Sequence, residues 1–180
     1  PIWSMKKGYR RRDAALAAAH LERYLNYVAR AKTLSRLGGL NVKLVGSVAE
    51  GAIEPNVDIH TLGFVPFDAC LELMGRAKIV INIRPGLPNG AHERVFYALS
   101  RGAAVLTTPS TLLEADRRAH DFIDFFDVAR GDIREKLITL REKLDHDKID
   151  RDAMRRHYLK HHTWRQRLEP LLMQVRNQVG

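Results

Sequence analysis

The sequence predicts an α/β fold: an open, mostly parallel sheet with helices on both faces and a C-terminal helical extension. Three observations predict it. Short apolar runs alternate with amphipathic stretches from about residue 41 to 128, the order that builds parallel strands joined by crossover helices. One run, "AKIVINI" (77–83), is almost wholly apolar, as expected of a strand covered on both faces. Amphipathic stretches follow one another after residue 131 with no strand between them. At 180 residues the chain suits one domain, 1–180, with the sheet core over about 1–128 and the C-terminal helices over about 131–178.

Each element has its own signal. "PIWSM" (1–5) reads as a first strand. From about Tyr9 to Leu37, Ala17, Leu21, Tyr24, Val28 and Ala31 recur at helical spacing, and Gly38-Gly39 ends the pattern. "NVKLVG" (41–46) and "VDIHTLGFV" (57–65) read as strands, and "FDACLELM" (67–74) as a short helix. After the run at 77–83, a helix starting near Asn89 buries Val95, Phe96, Ala98 and Leu99, and Gly102 is placed to close it in the left-handed conformation. "AAVLTT" (103–108) is the next strand, Thr111 to Glu114 a capping box, and "FIDFF" (122–126) a last edge strand. Asp132 stands where it would cap a helix carrying Ile133, Leu137, Leu140 and Leu144. A further helix covers about 148–160. Thr163 to Gln166 is a second capping box, opening a helix whose stripe of Trp164, Leu168, Leu171, Leu172 and Val175 is expected in the core.

Composition narrows the function. An apolar fraction of 45% supports a real core. The single Cys70 excludes an internal disulfide framework and fits a reducing, cytoplasmic location. No apolar run reaches the roughly 20 residues of a membrane span, and no signal peptide opens the chain. The first residue is Pro1, as expected of a processed or truncated piece.

The net charge of +9 is uneven: residues 1–36 hold nine Lys/Arg against two acids, residues 37–145 thirteen against fifteen, and residues 146–180 eight against four. The basic ends would attract phosphates, other polyanions or an acidic protein face. Aromatic residues are not interleaved with the basic runs, which argues against a nucleic-acid-binding role.

Chemistry concentrates in one loop. Arg84, Asn89, Gly90, His92, Glu93 and Arg94 fall within eleven residues between a strand and a helix start. In open α/β sheets ligands bind beyond the carboxyl ends of strands. Free N–H groups near Gly90 and Ala91 would favour an anion. Glycines at 86 and 90 let backbone approach a ligand, and Arg84 and Arg94 offer forked donors to phosphate oxygens. A nucleotide diphosphate fits that chemistry. The bland alternative is a shaped turn in which Asn89 caps the helix. Gly-x-Gly-x-x-Gly and the Walker lysine loop are both absent. His157 and His161 stand four apart with His162 adjacent, a spacing that can hold zinc, but the sequence suggests no third ligand, and no metal is expected.

The ordered set Asn82, Arg94, Phe96, Ala98, Gly102, Thr107, Thr108, then His162, Thr163, Trp164 and Arg167 resembles the nucleotide-binding C-terminal domain of GT-B glycosyltransferases, and most nearly those of the spore maturation protein type. The resemblance covers about 41–175. It implies a Rossmann-like donor-binding half that takes a nucleotide-diphosphate sugar without a metal or other cofactor. The acceptor would be held by an N-terminal domain or partner chain not contained here.

Related retaining enzymes carry Glu-x7-Glu. The first Glu touches the donor sugar and the second the ribose. The aligned positions here are Asn89 and Tyr97, neither acidic, with Glu93 one turn before Tyr97 as a substitute. Lys7, in a Lys-Gly pair, is similar to a lysine that contacts the diphosphate in the family, and Gly46 would keep backbone low beside the nucleotide. The lost carboxylates leave open a catalytically inactive interaction module. The long first and last helices are expected to seek partners, a second copy of the chain included.

Overall fold

A computed structural model describes residues 11–48, 51–53, 57–84, 86, 89–119, 121–146 and 148–179. The expected first strand "PIWSM" and Lys7 lie outside the described residues. Helix α1 runs Arg11–Ser35 and is followed by β1 (Lys43–Leu44), β2 (His60–Thr61), α2 (Phe67–Arg76), β3 (Ile79–Asn82), α3 (Glu93–Ser100), β4 (Ala104–Thr107), α4 (Thr111–Ala119) and β5 (Ile123–Phe125). Three helices close the chain, α5 (Ile133–Asp145), α6 (Arg151–His161) and α7 (Trp164–Val179). This is a Rossmann-like open α/β arrangement. All strand pairs are parallel and helices form the crossovers between β3, β4 and β5.

The described strands form two sheets, β1–β2 and β3–β4–β5. Every residue of β4 is buried. Since successive side chains point to opposite faces, that strand is covered on both sides. The sequence assigned this role to 77–83. In the structure β3 is an edge of its sheet, and Ile79, Val80 and Ile81 are only half-buried. Apolar content alone did not distinguish the edge from the middle.

The core gathers around β4 and α3. Val95, Phe96, Ala98 and Leu99 are buried as expected, with Val105, Leu106, Met154 and Tyr158 around them. Helix α3 packs on β3, β4, α2 and α6. Its end is a Schellman closure. Ala103 N–H donates to the Ala98 carbonyl and Gly102 N–H to that of Leu99, with Gly102 at φ 80°. From the start of α6, Arg151 donates to the carbonyls of Gly102 (2.6 Å) and Ala77 (2.8 Å), with a longer contact to Gly75 (3.4 Å). One guanidinium thus ties the ends of α2 and α3 to α6.

Two expectations are corrected. Asp132 precedes α5, but its side chain makes no cap bond; its carboxylate accepts from Asp127 N–H at 2.8 Å, holding the preceding turn. The cap of α6 is Asp150, whose carboxylate accepts from the N–H groups of Asp152 and Ala153. The α7 stripe is not core: Trp164 is 61% exposed, and Leu168, Leu171, Leu172 and Val175 are exposed with it. The N-terminal part of α1 behaves alike, with Leu21 and Tyr24 exposed and burial beginning only around Val28. One half of the Thr163 box is present, Thr163 N–H donating to Gln166 Oε1 at 3.1 Å. Among the described residues no helix is long and apolar enough to cross a membrane.

Candidate functional site

The strand-end loops after β3 and β4 are laced together by short polar side chains. Asn82 Nδ2 donates to Thr107 Oγ1 at 2.9 Å in a buried bond across the two strand ends. Arg84 N–H donates to Thr108 Oγ1 at 3.2 Å. Ser110 Oγ donates to the Gly90 carbonyl at 2.7 Å, and Thr111 Oγ1 to Asn89 Oδ1 at 3.2 Å. The last three bonds tie Arg84, Gly90 and Asn89 to the β4–α4 turn. Pro85, Leu87 and Pro88 lie outside the described residues.

Helix α3 starts three residues later than expected. Its cap is His92, not Asn89: Arg94 N–H donates to His92 Nδ1 at 3.2 Å. The sequence favoured Asn89 because asparagine is a common cap, whereas a neutral imidazole nitrogen fills the same role here. Asn89 is left exposed against Thr111. The free helix-start amides foreseen at Gly90 and Ala91 therefore precede the helix.

Arg84 and Arg94 do converge, and a third guanidinium joins them. Arg30 of α1 is held below the ordinary arginine range by partial desolvation first, then by the positive fields of Arg94 and Arg84. Among the described residues none of the three guanidiniums has a carboxylate within ion-pair distance. The face of α1 carrying Arg30 also carries Glu22 and Asn26, one turn apart each. A Cβ on Gly86 would lie 3.2 Å from Glu22 Oε1 and 3.6 Å from the Asn26 amide, so this face borders the loop. Arg30, Glu22 and Asn26 escaped the sequence reading. Helical periodicity reveals an apolar stripe, but a polar face more than fifty residues upstream carries no mark of what it meets.

His92 sits in this positive field. Its pKa is lowered, first by desolvation and then by Arg94, with Arg84 and Arg30 adding and Glu93, 3.5 Å away, opposing. The neutral ring is the form that accepts the cap bond. A folded-state pKa below the usual 6.5 means the unfolded chain takes the proton more readily. The stability His92 contributes is complete above the unfolded pKa and is lost as pH falls through the folded one. Urea midpoints are expected to drop more steeply from about pH 7 to pH 5 in the natural chain than in His92→Asn, which keeps a cap acceptor without titrating. Equal slopes would remove His92 from that role.

Two clefts flank the start of α3. The one at the sheet mouth, bounded by Asn82, Arg84, Gly90, His92, Thr107, Thr108 and Ser110, is about 10 Å³, room for a single water. The lacing side chains thus leave this cleft room for no more than a water. The other cleft, of about 280 Å³, lies between α3 and the α6–α7 junction, with Glu93, Phe96, Tyr97, Tyr158, His162 and Trp164 among its walls. Tyr97 stacks edge-on against Phe67 at 5.4 Å. Glu93 and Tyr97, one turn apart on α3, both line this cleft.

Gly46 stands apart from these residues. It has φ 112° and its N–H donates to the Gly63 carbonyl at 2.7 Å. That bond continues the β1–β2 pairing, and among the described residues Gly46 makes no hydrogen bond to the 84–94 loop.

Residues 28–173 match the family described as glycosyl transferase-like. No curated protein and no solved structure matches the chain significantly.

Proposed function

The chain belongs to the glycosyl transferase-like family, and from that premise we propose that it is the donor-binding half of a glycosyltransferase, holding a nucleotide-diphosphate sugar at the 84–94 loop. The observation that carries this reading is the set of Arg30, Arg84 and Arg94, three guanidiniums whose fields overlap and which, among the described residues, have no carboxylate within ion-pair distance. Such a set is costly without an anion and well suited to a diphosphate, whose oxygens accept forked bonds. Guanidiniums neutralising the leaving diphosphate take the place of a metal. Lys7 is proposed as a further diphosphate contact and Gly46 as a backbone contact to the nucleotide. Asn89, Glu93 and Tyr97 would hold sugar or ribose hydroxyls, and the 280 Å³ cleft along Glu93 and Tyr97 approaches the size of a small-ligand site.

The ordered residues from Asn82 to Arg167 support the finer placement among GT-B enzymes of the spore maturation protein type. In that placement the acceptor is supplied by an N-terminal domain or partner chain, and the chain works in the cytoplasm. Exposed apolar rows on α1 and α7 are consistent with a partner or a second copy. A retired donor site kept as an interaction surface is the second reading, favoured by Asn89 and Tyr97 standing where related enzymes carry glutamates.

Nucleotide binding separates the two. With UDP, GDP, ADP and their sugar conjugates at millimolar concentration, one of them is expected to raise the thermal midpoint. A ligand of about 10 µM affinity stabilises by about 2.7 kcal/mol at a hundredfold excess over its Kd. Unchanged midpoints with all of them would overturn the donor-site reading.

A further inference from the structure

Away from the arginines, the fold brings together three metal-ligating side chains from different elements. Asp116 lies on α4, His157 on α6 and His162 at the junction of α6 and α7. One donor atom from each lies within 4.8 Å of the others, and all three residues are half-buried. His162 Nε2 is 3.8 Å from Asp116 Oδ1, and the rings of His157 and His162 are 5.8 Å apart.

Sequence spacing conceals this arrangement. Residues five apart on an unbroken helix point about 140° from each other. His162, however, is the C-cap of α6, with φ −125° and ψ 17°, so its ring is released from the helical direction. It is stacked against Tyr158 at 4.6 Å and Phe96 at 5.7 Å, which fixes its plane on the Asp116 side of the junction. Arg117, next to Asp116, is engaged by Glu114 through two bonds of 2.8 and 3.2 Å.

We propose that Asp116, His157 and His162 form a zinc site that joins α4 to the α6–α7 junction. Two imidazoles and one carboxylate are a fitting donor set for this borderline cation, with a fourth position for water. Zn–N and Zn–O bonds of about 2.0–2.2 Å put tetrahedral ligands about 3.3 Å apart. The donor atoms, within 4.8 Å of one another, would close by up to about 1.5 Å to reach that value. Because the ligands span α4, α6 and the start of α7, the ion would fix the direction in which α7 leaves the domain. That role does not depend on the donor-site reading.

The test uses the full chain stripped with a chelator and titrated with zinc chloride in a calorimeter, with Co(II) as a spectroscopic substitute. The expected result is one zinc per chain, a raised thermal midpoint and the visible bands of tetrahedral Co(II). Asp116→Asn and His162→Ala should each weaken binding at least tenfold, while His161→Ala leaves it unchanged. Circular dichroism of each metal-free variant checks that the fold persists, and His157→Gln supplies a further ligand deletion should His162→Ala unfold. The proposal is overturned if the stripped chain takes up no zinc. It is overturned equally if His161→Ala abolishes uptake while Asp116→Asn does not, since His157 and His161, with rings 4.8 Å apart, would then chelate on α6 alone. Nucleotide binding is measured separately, so either reading can fail without the other.

Discussion

Arg94→Ala is expected to weaken nucleoside diphosphate binding by about 1.5–3 kcal/mol, the worth of a charge-assisted hydrogen bond, or roughly ten- to 150-fold in Kd. Arg30→Ala should weaken it within the same range, although Arg30 is far away in sequence and is not part of the loop. The distinguishing result is what happens without ligand. Desolvation and then the fields of Arg94 and Arg84 lower the pKa of Arg30, so removing one of the three charges relieves repulsion. The thermal midpoint of the free variant should stay constant or rise while affinity falls. Calorimetric titration with the diphosphate that raises the midpoint most, beside thermal melts of the free proteins, checks both halves. A variant that loses stability in proportion to affinity would make these arginines packing residues and not ligand contacts.

Arg151→Ala is expected to produce the largest loss of stability from a single polar side chain, about 3 kcal/mol. Its short bonds to Gly102 and Ala77 are charge-assisted, each worth about 1.5–3 kcal/mol and not additive. Truncation leaves half-buried carbonyls at the ends of α2 and α3 with one donor fewer. Arg151→Lys should recover only part of the loss, because an ammonium cannot reproduce the fork that reaches two helix ends at once. Urea denaturation of the three proteins at one pH measures this. A loss below about 1 kcal/mol would show that water replaces the guanidinium without cost.

Local signals proved the most legible. Gly102 announced a left-handed closure, and the four apolar positions of α3 announced its buried face, because both depend on residues within a few positions. Arg84 and Arg94 lie at the two ends of one strand-to-helix connection, so their convergence followed from chain connectivity. The start of α3 was missed because asparagine is the commoner cap, yet the loop spends Asn89 on Thr111 and lets His92 accept the helix amide. Arg30 and Asp116 were illegible for another reason. Each meets its neighbours through tertiary packing, and the period of a helix tells which residues share a face without telling what that face touches. The same gap explains Trp164 and its stripe: amphipathic spacing marks an apolar row on α7 but does not supply its cover.

Those open rows on α1 and α7 have a colloidal consequence. The chain carries a net charge of +9, and like charge keeps separate copies from meeting face to face. At low ionic strength this repulsion reaches tens of ångströms, but in molar salt it is screened to about 3 Å. Concentrated salt is therefore expected to let two exposed rows touch, and dilute buffer to keep the molecules dispersed.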